Sequence, residues 1–387
     1  MEELDELRQK INEIDRELVA LYTKRLEVCR EVGLYKKAHH LPVLDAAREK
    51  QVLRSKAELV QQPELRSYVT ALFEHVMTQS RMLQSKLETT WPPAKQRAYA
   101  EYRRAVERQT ETPAQTRVIY QGQPGAYAEE AAKAYFGADC VRTNAKSWEG
   151  VLIAIREGLG DYGVLPIENS STGSISAVYD LLGQYGCAIV GEQIIRVEHA
   201  LMAPKGASLD SICQVYSHEQ GLLQCRPFLA QYPQWEQQAE PNTALAAKLV
   251  AESKDVTKAA IASPQTAALY GLEVLAEKIN FNDQNYTRFV IVSNAPQITE
   301  ACDKVSVVFT VPHTEGSLHR VLAVFATNGR NLLKLESRPI VGKSWEYTFF
   351  ADFSGNLRSE GMDDTVRQLI DETLSFRILG NYKAAHI

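Results

Sequence analysis

Two groups of side chains in this sequence have the types and spacing to do chemistry. The first is Glu168, Asn169, Ser170, Ser171, Thr172, Gly173 and Ser174. They follow the apolar run Val164, Leu165 and Ile167, and they precede Ile175 to Leu182, which reads as a helix. The order is strand, polar turn, helix, with Pro166 interrupting the strand and holding Leu165 extended. Such a turn gathers hydroxyls, an amide and helix-start N–H groups, which suits an anionic ligand. The same residues equally make a hydrophilic loop with a good N-cap.

The second group is polar and sits where apolar residues belong. Leu4, Leu7, Ile11, Ile14, Leu18 and Leu21 alternate spacings of three and four, and the seam continues through Val28, Val32 and Tyr35. This is a heptad pattern. Nothing breaks it before Pro42, so it predicts a helix of roughly 35 residues and ~50 Å. A helix of that length needs a partner, and the pattern predicts a dimer. Arg25 interrupts the seam, and Lys36, eleven residues on, lies within ~20° of it. Arg8 falls ~100° round the helix and faces elsewhere. After Pro42 a second helix starts with Asp45 as N-cap, and Asp45, Arg48 and Glu49 share a face at i, i+3 and i+4. A third helix follows Pro63, and Ser80 and Gln84 intrude on its stripe before Leu87. One buried polar residue can fix coiled-coil register. Six of them, Arg25, Lys36, Arg48, Glu49, Ser80 and Gln84, predict a polar cavity inside a helical bundle.

The elements that position these groups fall into three modules. Residues 1–88 are all helical, and 89–116 form a linker whose helix, Lys95 to Arg108, reads as solvated. Residues 117–296 alternate strands and helices twice over, which predicts two α/β lobes with a cleft at the strand carboxyl ends. Helices are expected at Ala126 to Phe136, Trp148 to Arg156, Gly221 to Tyr232 and Thr243 to Glu252, with Ser147 and Thr243 as N-caps. Residues 303–382 run βαββαβ, the split-βαβ order. They hold no nucleophile or acid–base pair and read as a binding domain.

Composition narrows the class further. A chain of 387 residues with 45% hydrophobic content predicts two or three domains with sizeable cores. A net charge of -5 with mixed signs argues against nucleic acid. No apolar run approaches ~18 residues, and the N-terminus lacks a signal-peptide h-region, so a cytoplasmic protein is expected. The six cysteines lack CxxC spacing, which predicts reduced thiols and no metal site. Gly158, Gly160 and Gly163 match GxGxxG, but the motif follows a helix and opens a strand, the reverse of a dinucleotide fingerprint. No cofactor is indicated.

Several motifs resemble known families. LRQKINEIDREL, RLEVCREVGLYK, PVLDAAREK and SRMLQ resemble the all-helical chorismate mutases over roughly the first 88 residues. The resemblance implies an intertwined dimer that rearranges chorismate to prephenate. It implies that Arg8, reaching from the other subunit, and Arg25 bind the substrate carboxylates, that Lys36 and Gln84 bond the ether oxygen, and that Asp45, Arg48, Glu49 and Ser80 complete the pocket. A Claisen rearrangement needs no nucleophile or metal. It needs a flexible dianion held compact, with donors where charge builds on the breaking C–O bond.

GQPGAYAE at Gly122 to Glu129, PIENSSTGSI at Pro166 to Ile175, SHEQGLLQC at Ser217 to Cys225 and NYTRFVIV at Asn285 to Val292 resemble prephenate dehydratase. That family converts prephenate to phenylpyruvate with loss of carbon dioxide and water. The resemblance implies that Thr287 assists departure of the ring hydroxyl and that Arg288 holds a carboxylate or orients the motif. It places Asn169, Ser170, Thr172, Ser217, Gln224 and Phe289 at the substrate. GSLHRVL at Gly316 to Leu322 and ESRP at Glu336 to Pro339 resemble the ACT regulatory domain. They imply phenylalanine binding by Gly316, Ser317, Leu318, Glu336, Ser337 and Arg338. Together the resemblances imply a multidomain chain: an intertwined helical domain, a two-lobed α/β domain and a ferredoxin-like α+β domain. They imply a homodimer or higher oligomer acting in phenylalanine biosynthesis.

Overall fold

The heptad stripe forms one helix, α1 (Glu2–Ala38). In this computed structural model residues 2–85, 91–109, 115–340 and 342–386 are described. Helix α2 (Ala46–Glu58) is capped by Asp45, whose carboxylate accepts from the Arg48 N–H at 2.9 Å. A 3₁₀ turn at Pro63–Leu65 leads into α3 (Arg66–Ser85), which packs against both α1 and α2. Leu4, Leu7, Ile11, Ile14, Leu18 and Leu21 each stay more than half exposed, so this single chain does not cover the α1 stripe. Leu87, the expected next residue of the α3 stripe, lies outside the described residues.

Helix α4 (Pro93–Glu107) is not the solvated linker its Arg and Glu content suggested. Tyr99, Tyr102 and Val106 make a helical stripe. That stripe, with Trp91, packs into the core formed by Phe309, Phe325 and Leu369 of the C-terminal module. Trp91 Nε1 donates to Asp371 Oδ1 at 2.6 Å, and the Tyr99 hydroxyl donates to Asp363 at 2.7 Å.

The α/β module starts with β1 (Arg117–Gln121), α5 (Tyr127–Phe136), β2 (Val141–Ala145) and α6 (Trp148–Arg156), the last capped by Ser147. Strand β3 (Tyr162–Asn169) runs through Pro166. The proline is tolerated because β1 pairs only with Tyr162, Gly163 and Val164, so the proline nitrogen lies beyond that ladder. Then come β4 (Gly173–Ser174), which folds back on β3, α7 (Ser176–Tyr185) and β5 (Ala188–Arg196).

The chain crosses to a second sheet with β6 (Ala200–Ala203), β7 (Gln214–Ser217), α8 (Glu219–Gln224), α9 (Arg226–Leu229), β8 (Glu236–Ala239), α10 (Thr243–Ser253), β9 (Lys258–Ala262), α11 (Pro264–Tyr270) and β10 (Glu273–Ala276). The single helix expected at Gly221 to Tyr232 splits at Cys225, because Pro227 cannot continue it. Asn242, rather than Thr243, caps α10. Strand β11 (Tyr286–Ser293) returns to the first sheet and lies between β3 and β5.

The last module is β12 (Lys304–Thr310), α12 (Ser317–Thr327), β13 (Leu332–Pro339), β14 (Tyr347–Ser354), α13 (Met362–Glu372) and β15 (Ser375–Tyr382). Its sheet is not separate. Strand β15 pairs in parallel with β5 at Gly380 and Ile189, giving one sheet in the order β13-β14-β12-β15-β5-β11-β3-β1-β2. A Cβ on Gly380 would lie 2.0 Å from the Ile189 carbonyl oxygen. Gly380→Ala is therefore expected to cost about 1–3 kcal/mol by overpacking. A fall in the first thermal unfolding transition would show it, and an unchanged transition would contradict it.

Candidate functional site

In the helical module the structure brings Arg25 and Ser80 together. Arg25 Nη1 donates to Ser80 Oγ at 2.6 Å, and that hydroxyl donates to the Val76 carbonyl at 2.7 Å. Gln84, one turn further on α3, is 7% exposed, and its Oε1 has no hydrogen-bond partner among the described residues. A buried orphan acceptor is costly unless a ligand meets it, or unless its amide is turned. Lys36 Nζ donates to the Val43 carbonyl at 2.7 Å. Burial lowers its pKa, opposed by Asp45 and Glu49. Arg25 also borders an open apolar groove of about 820 Å³ between α1 and α3, lined by Leu18, Tyr22, Leu72 and Phe73.

Two expected members stand apart within this chain. Arg8 is exposed and pairs with Asp5, and Arg48 is exposed and donates to Gln51. Glu49 is held by Arg81, a buried residue that the sequence reading passed over.

In the α/β module, Asn169 at the end of β3 organises the polar turn. Its Oδ1 accepts the N–H groups of Ser171 at 2.9 Å and Thr172 at 3.1 Å. The turn amides are thus taken by Asn169, and β4 separates them from the start of α7. The expected nest of free helix-start N–H groups does not form. Asn169 Nδ2 donates to Asn285 Oδ1 at 2.8 Å and to Thr287 Oγ1 at 3.0 Å. Thr287 therefore accepts, and its own proton is left to donate. Asn285 is 1% exposed, and its Nδ2 has no partner among the described residues. It was missed, although it sits two residues before Thr287 in the same motif and on the same strand face.

Gln224 is also buried, and its Oε1 lies 2.8 Å from His199 Nε2. The other ring nitrogen of His199 lies 3.2 Å from the Tyr127 hydroxyl, which donates to the Glu198 carbonyl. Burial pushes the His199 pKa down and the Tyr127 pKa up, so both are neutral at neutral pH. This chain of three side chains joins α5 of one lobe to α8 of the other. Neither His199 nor Tyr127 was flagged by the sequence reading.

Other expected binding residues are spent on structure. Ser170 Oγ donates to the Gln284 carbonyl and accepts from the Tyr286 N–H. Thr172 Oγ1 donates to Asn169. Ser217 is fully buried and donates to the Ile261 carbonyl. Phe289, expected at the substrate, is 3% exposed and packs in a core with Tyr120, Ala131 and Ile291.

Arg288 lies on the opposite strand face from Thr287. Its Nη2 donates to Glu168 at 2.9 Å, and its Nη1 donates to Glu192 at 3.1 Å and Asp352 at 3.0 Å. Lys304 pairs with Glu192 and Lys334 with Glu168, both at 2.9 Å. Burial alone raises the Glu168 pKa, but the Lys334 and Arg288 charges outweigh it and hold the carboxyl below its usual range. Of the two roles expected for Arg288, three protein carboxylates on its guanidinium fit orientation, not substrate binding.

The six residues expected at phenylalanine occupy two places. Gly316, Ser317 and Leu318 open α12, where Ser317 Oγ bonds Thr314 and Arg320. On β13, Glu336 accepts from Ser174 at 2.8 Å and Arg338 pairs with Asp180 at 2.9 Å, both in the first lobe. Ser337 alternates to the other face of the sheet, the side of α12. Among the described residues no His, Cys, Asp and Glu group fits a metal ion, and no helix is long and apolar enough to cross a membrane.

A helical bundle with a cationic, polar interior joined to a two-lobed α/β unit with a buried hydroxyl defines a two-site enzyme. A chorismate mutase type II model matches residues 7–85, and a prephenate dehydratase model matches residues 118–297. The bifunctional chorismate mutase/prephenate dehydratase of Escherichia coli (strain K12) is 32% identical over 393 residues, covering 98% of this chain and 96% of that protein. Among solved structures, the prephenate dehydratase from Arthrobacter aurescens in complex with L-Phe superposes with a TM-score of 0.64 at 30% identity, covering 70% of this chain and 90% of that one. A quorum quenching acylase superposes with the same TM-score at 28% identity, covering 70% and 98%. The chain belongs to the family of bifunctional chorismate mutase/prephenate dehydratases, and it is an enzyme with both domains and a role in phenylalanine biosynthesis.

Proposed function

We propose that this enzyme rearranges chorismate to prephenate in its helical module and converts prephenate to phenylpyruvate in its α/β module, under phenylalanine control from an ACT domain at 303–382. The proposed module limits are 1–88, 89–116, 117–296 and 303–382. The mutase site comprises Arg25, Lys36, Asp45, Arg48, Glu49, Ser80 and Gln84, with Arg8 supplied by a second chain. The uncovered α1 stripe supports that homodimer, because exposed apolar stripes of this length mark interfaces. The protein works in the cytoplasm.

The acylase with the same fold shows that architecture alone does not fix the reaction. The observation that carries the dehydratase reading is the Thr287 hydroxyl, which accepts from Asn169 and keeps its proton for a ligand. In the reaction the carboxylate carbon leaves as carbon dioxide, its bonding electrons enter the ring, and the ring hydroxyl leaves with a proton as water. Thr287 donates a hydrogen bond to that departing oxygen. The Asn285 amide N–H and the Gln224–His199 pair supply neutral polar contacts deeper in the cleft. The Glu336–Ser174 and Arg338–Asp180 contacts give phenylalanine a route to the polar turn.

The test supplies chorismate without cofactor, with and without phenylalanine, and follows chorismate, prephenate and phenylpyruvate. Phenylpyruvate that falls on adding phenylalanine is expected. Prephenate accumulating with no phenylpyruvate would overturn the dehydratase reading.

A further inference from the structure

Helix α13 ends on two carboxylates, Asp371 and Glu372. Negative charge is disfavoured at a helix C-terminus, where the macrodipole is itself negative. Cations from three different elements meet this end. Lys95 of α4 donates to the Asp371 carbonyl at 2.7 Å, Arg320 of α12 donates to Glu372 Oε2 at 3.1 Å, and Arg81 of α3 donates to Glu372 Oε1 at 2.9 Å. Arg81 and Glu372 are 6% and 9% exposed.

All three guanidinium nitrogens of Arg81 donate. Nε holds Glu372, Nη2 holds Thr78 at 3.0 Å, and Nη1 holds Glu49 on α2. Arg81 also directly follows Ser80, the partner of Arg25. From Arg320 the chain of contacts goes on to Ser317 Oγ at 3.0 Å. Five side chains thus run unbroken from α12 to the mutase carboxylate: Ser317, Arg320, Glu372, Arg81 and Glu49.

We infer that Arg81 is a positioning residue of the mutase site, fixing the Glu49 carboxylate, and that the C-terminal module sets Arg81 through Glu372. This rests on the assignment of Glu49 to the mutase pocket. A buried ion pair is weak evidence for stability alone. Its geometric effect is specific here: a rigid two-sided fork lets Glu49 take only the position that Glu372 permits. The helical module then works at full rate only when docked on α13.

The test uses the full chain with Glu372→Gln, Arg81→Met, the double variant and Glu49→Gln. Mutase turnover is followed on chorismate and dehydratase turnover on supplied prephenate. Glu372→Gln is expected to lower mutase kcat roughly five- to ten-fold with little change in KM, and Arg81→Met at least as much. The double variant should be no worse than Arg81→Met, since contacting residues couple. Dehydratase turnover should stay within about two-fold. If Arg81→Met does not fold, Arg81→Lys, which keeps the charge but loses the fork, replaces it.

An unchanged mutase kcat in Glu372→Gln, or losses that multiply in the double variant, would overturn the proposal. So would parallel loss of both activities with a lowered melting temperature, which marks a structural clamp only. A fully active Glu49→Gln would instead remove the site assignment beneath it.

Discussion

Thr287→Ala is expected to lower prephenate turnover by about 10²-fold or more, the range for losing a positioned proton donor. Chorismate consumption should continue at the wild-type rate, so prephenate accumulates. The fold should survive the change. Thr287 lies in mid-sheet, paired with Asn169 on one side and Ile195 on the other, and alanine keeps both backbone ladders. Asn169 Nδ2 loses one acceptor but retains Asn285 Oδ1, so the structural cost is on the order of 1 kcal/mol. Two further variants separate the hydroxyl from the side-chain volume. Thr287→Ser keeps the donor and should keep most activity. Thr287→Val keeps the shape and should fail as alanine does. Dehydratase activity retained by Thr287→Ala or Thr287→Val would refute the role given to the hydroxyl.

What the sequence showed and hid follows from how far each signal reaches along the chain. Heptads, prolines and N-caps act over a few residues, so α1, the Asp45 cap and the βαββαβ order of the last module were legible. Local composition misled at α4, where Tyr99, Tyr102 and Val106 outweigh the arginines once they meet the core around Phe325. Pro166 suggested an interrupted strand because its neighbours in the sheet were unknown. With β1 already ended, the missing N–H costs no bond there.

The sides of β11 were readable and were not read. Thr287 and Arg288 are consecutive in a strand, so period two places them on opposite faces. That alone argues that the threonine and the arginine do not touch one substrate. Arg81 was out of reach. Its partner Glu372 lies 291 residues away, and nothing local distinguishes it from a surface arginine. His199 and Tyr127, 72 residues apart, meet only when the lobes close on each other.

Arg25→Ala should lower mutase activity by about 10²-fold or more, the range for a substrate no longer held in its reactive position. Dehydratase activity on supplied prephenate should be untouched. Arg25 is half-buried, its Nη1 is fixed by Ser80, and its planar fork can meet a carboxylate through two parallel bonds. Arg25→Lys should recover only part of the loss, because an ammonium offers a point charge without the fork. Arg8 presents the complementary case. It is exposed in the single chain, pairs with Asp5, and lies ~100° round α1 from Arg25. If it completes the pocket of a second copy, Arg8→Ala and Arg25→Ala each yield an inactive homodimer. A mixed dimer then carries both changes in one site and neither in the other. Random reassortment of equal amounts makes half the dimers mixed, with one intact site each, so about a quarter of wild-type mutase activity should return. No recovery after verified subunit exchange would place Arg8 outside the site and leave the α1 stripe to explain the dimer alone.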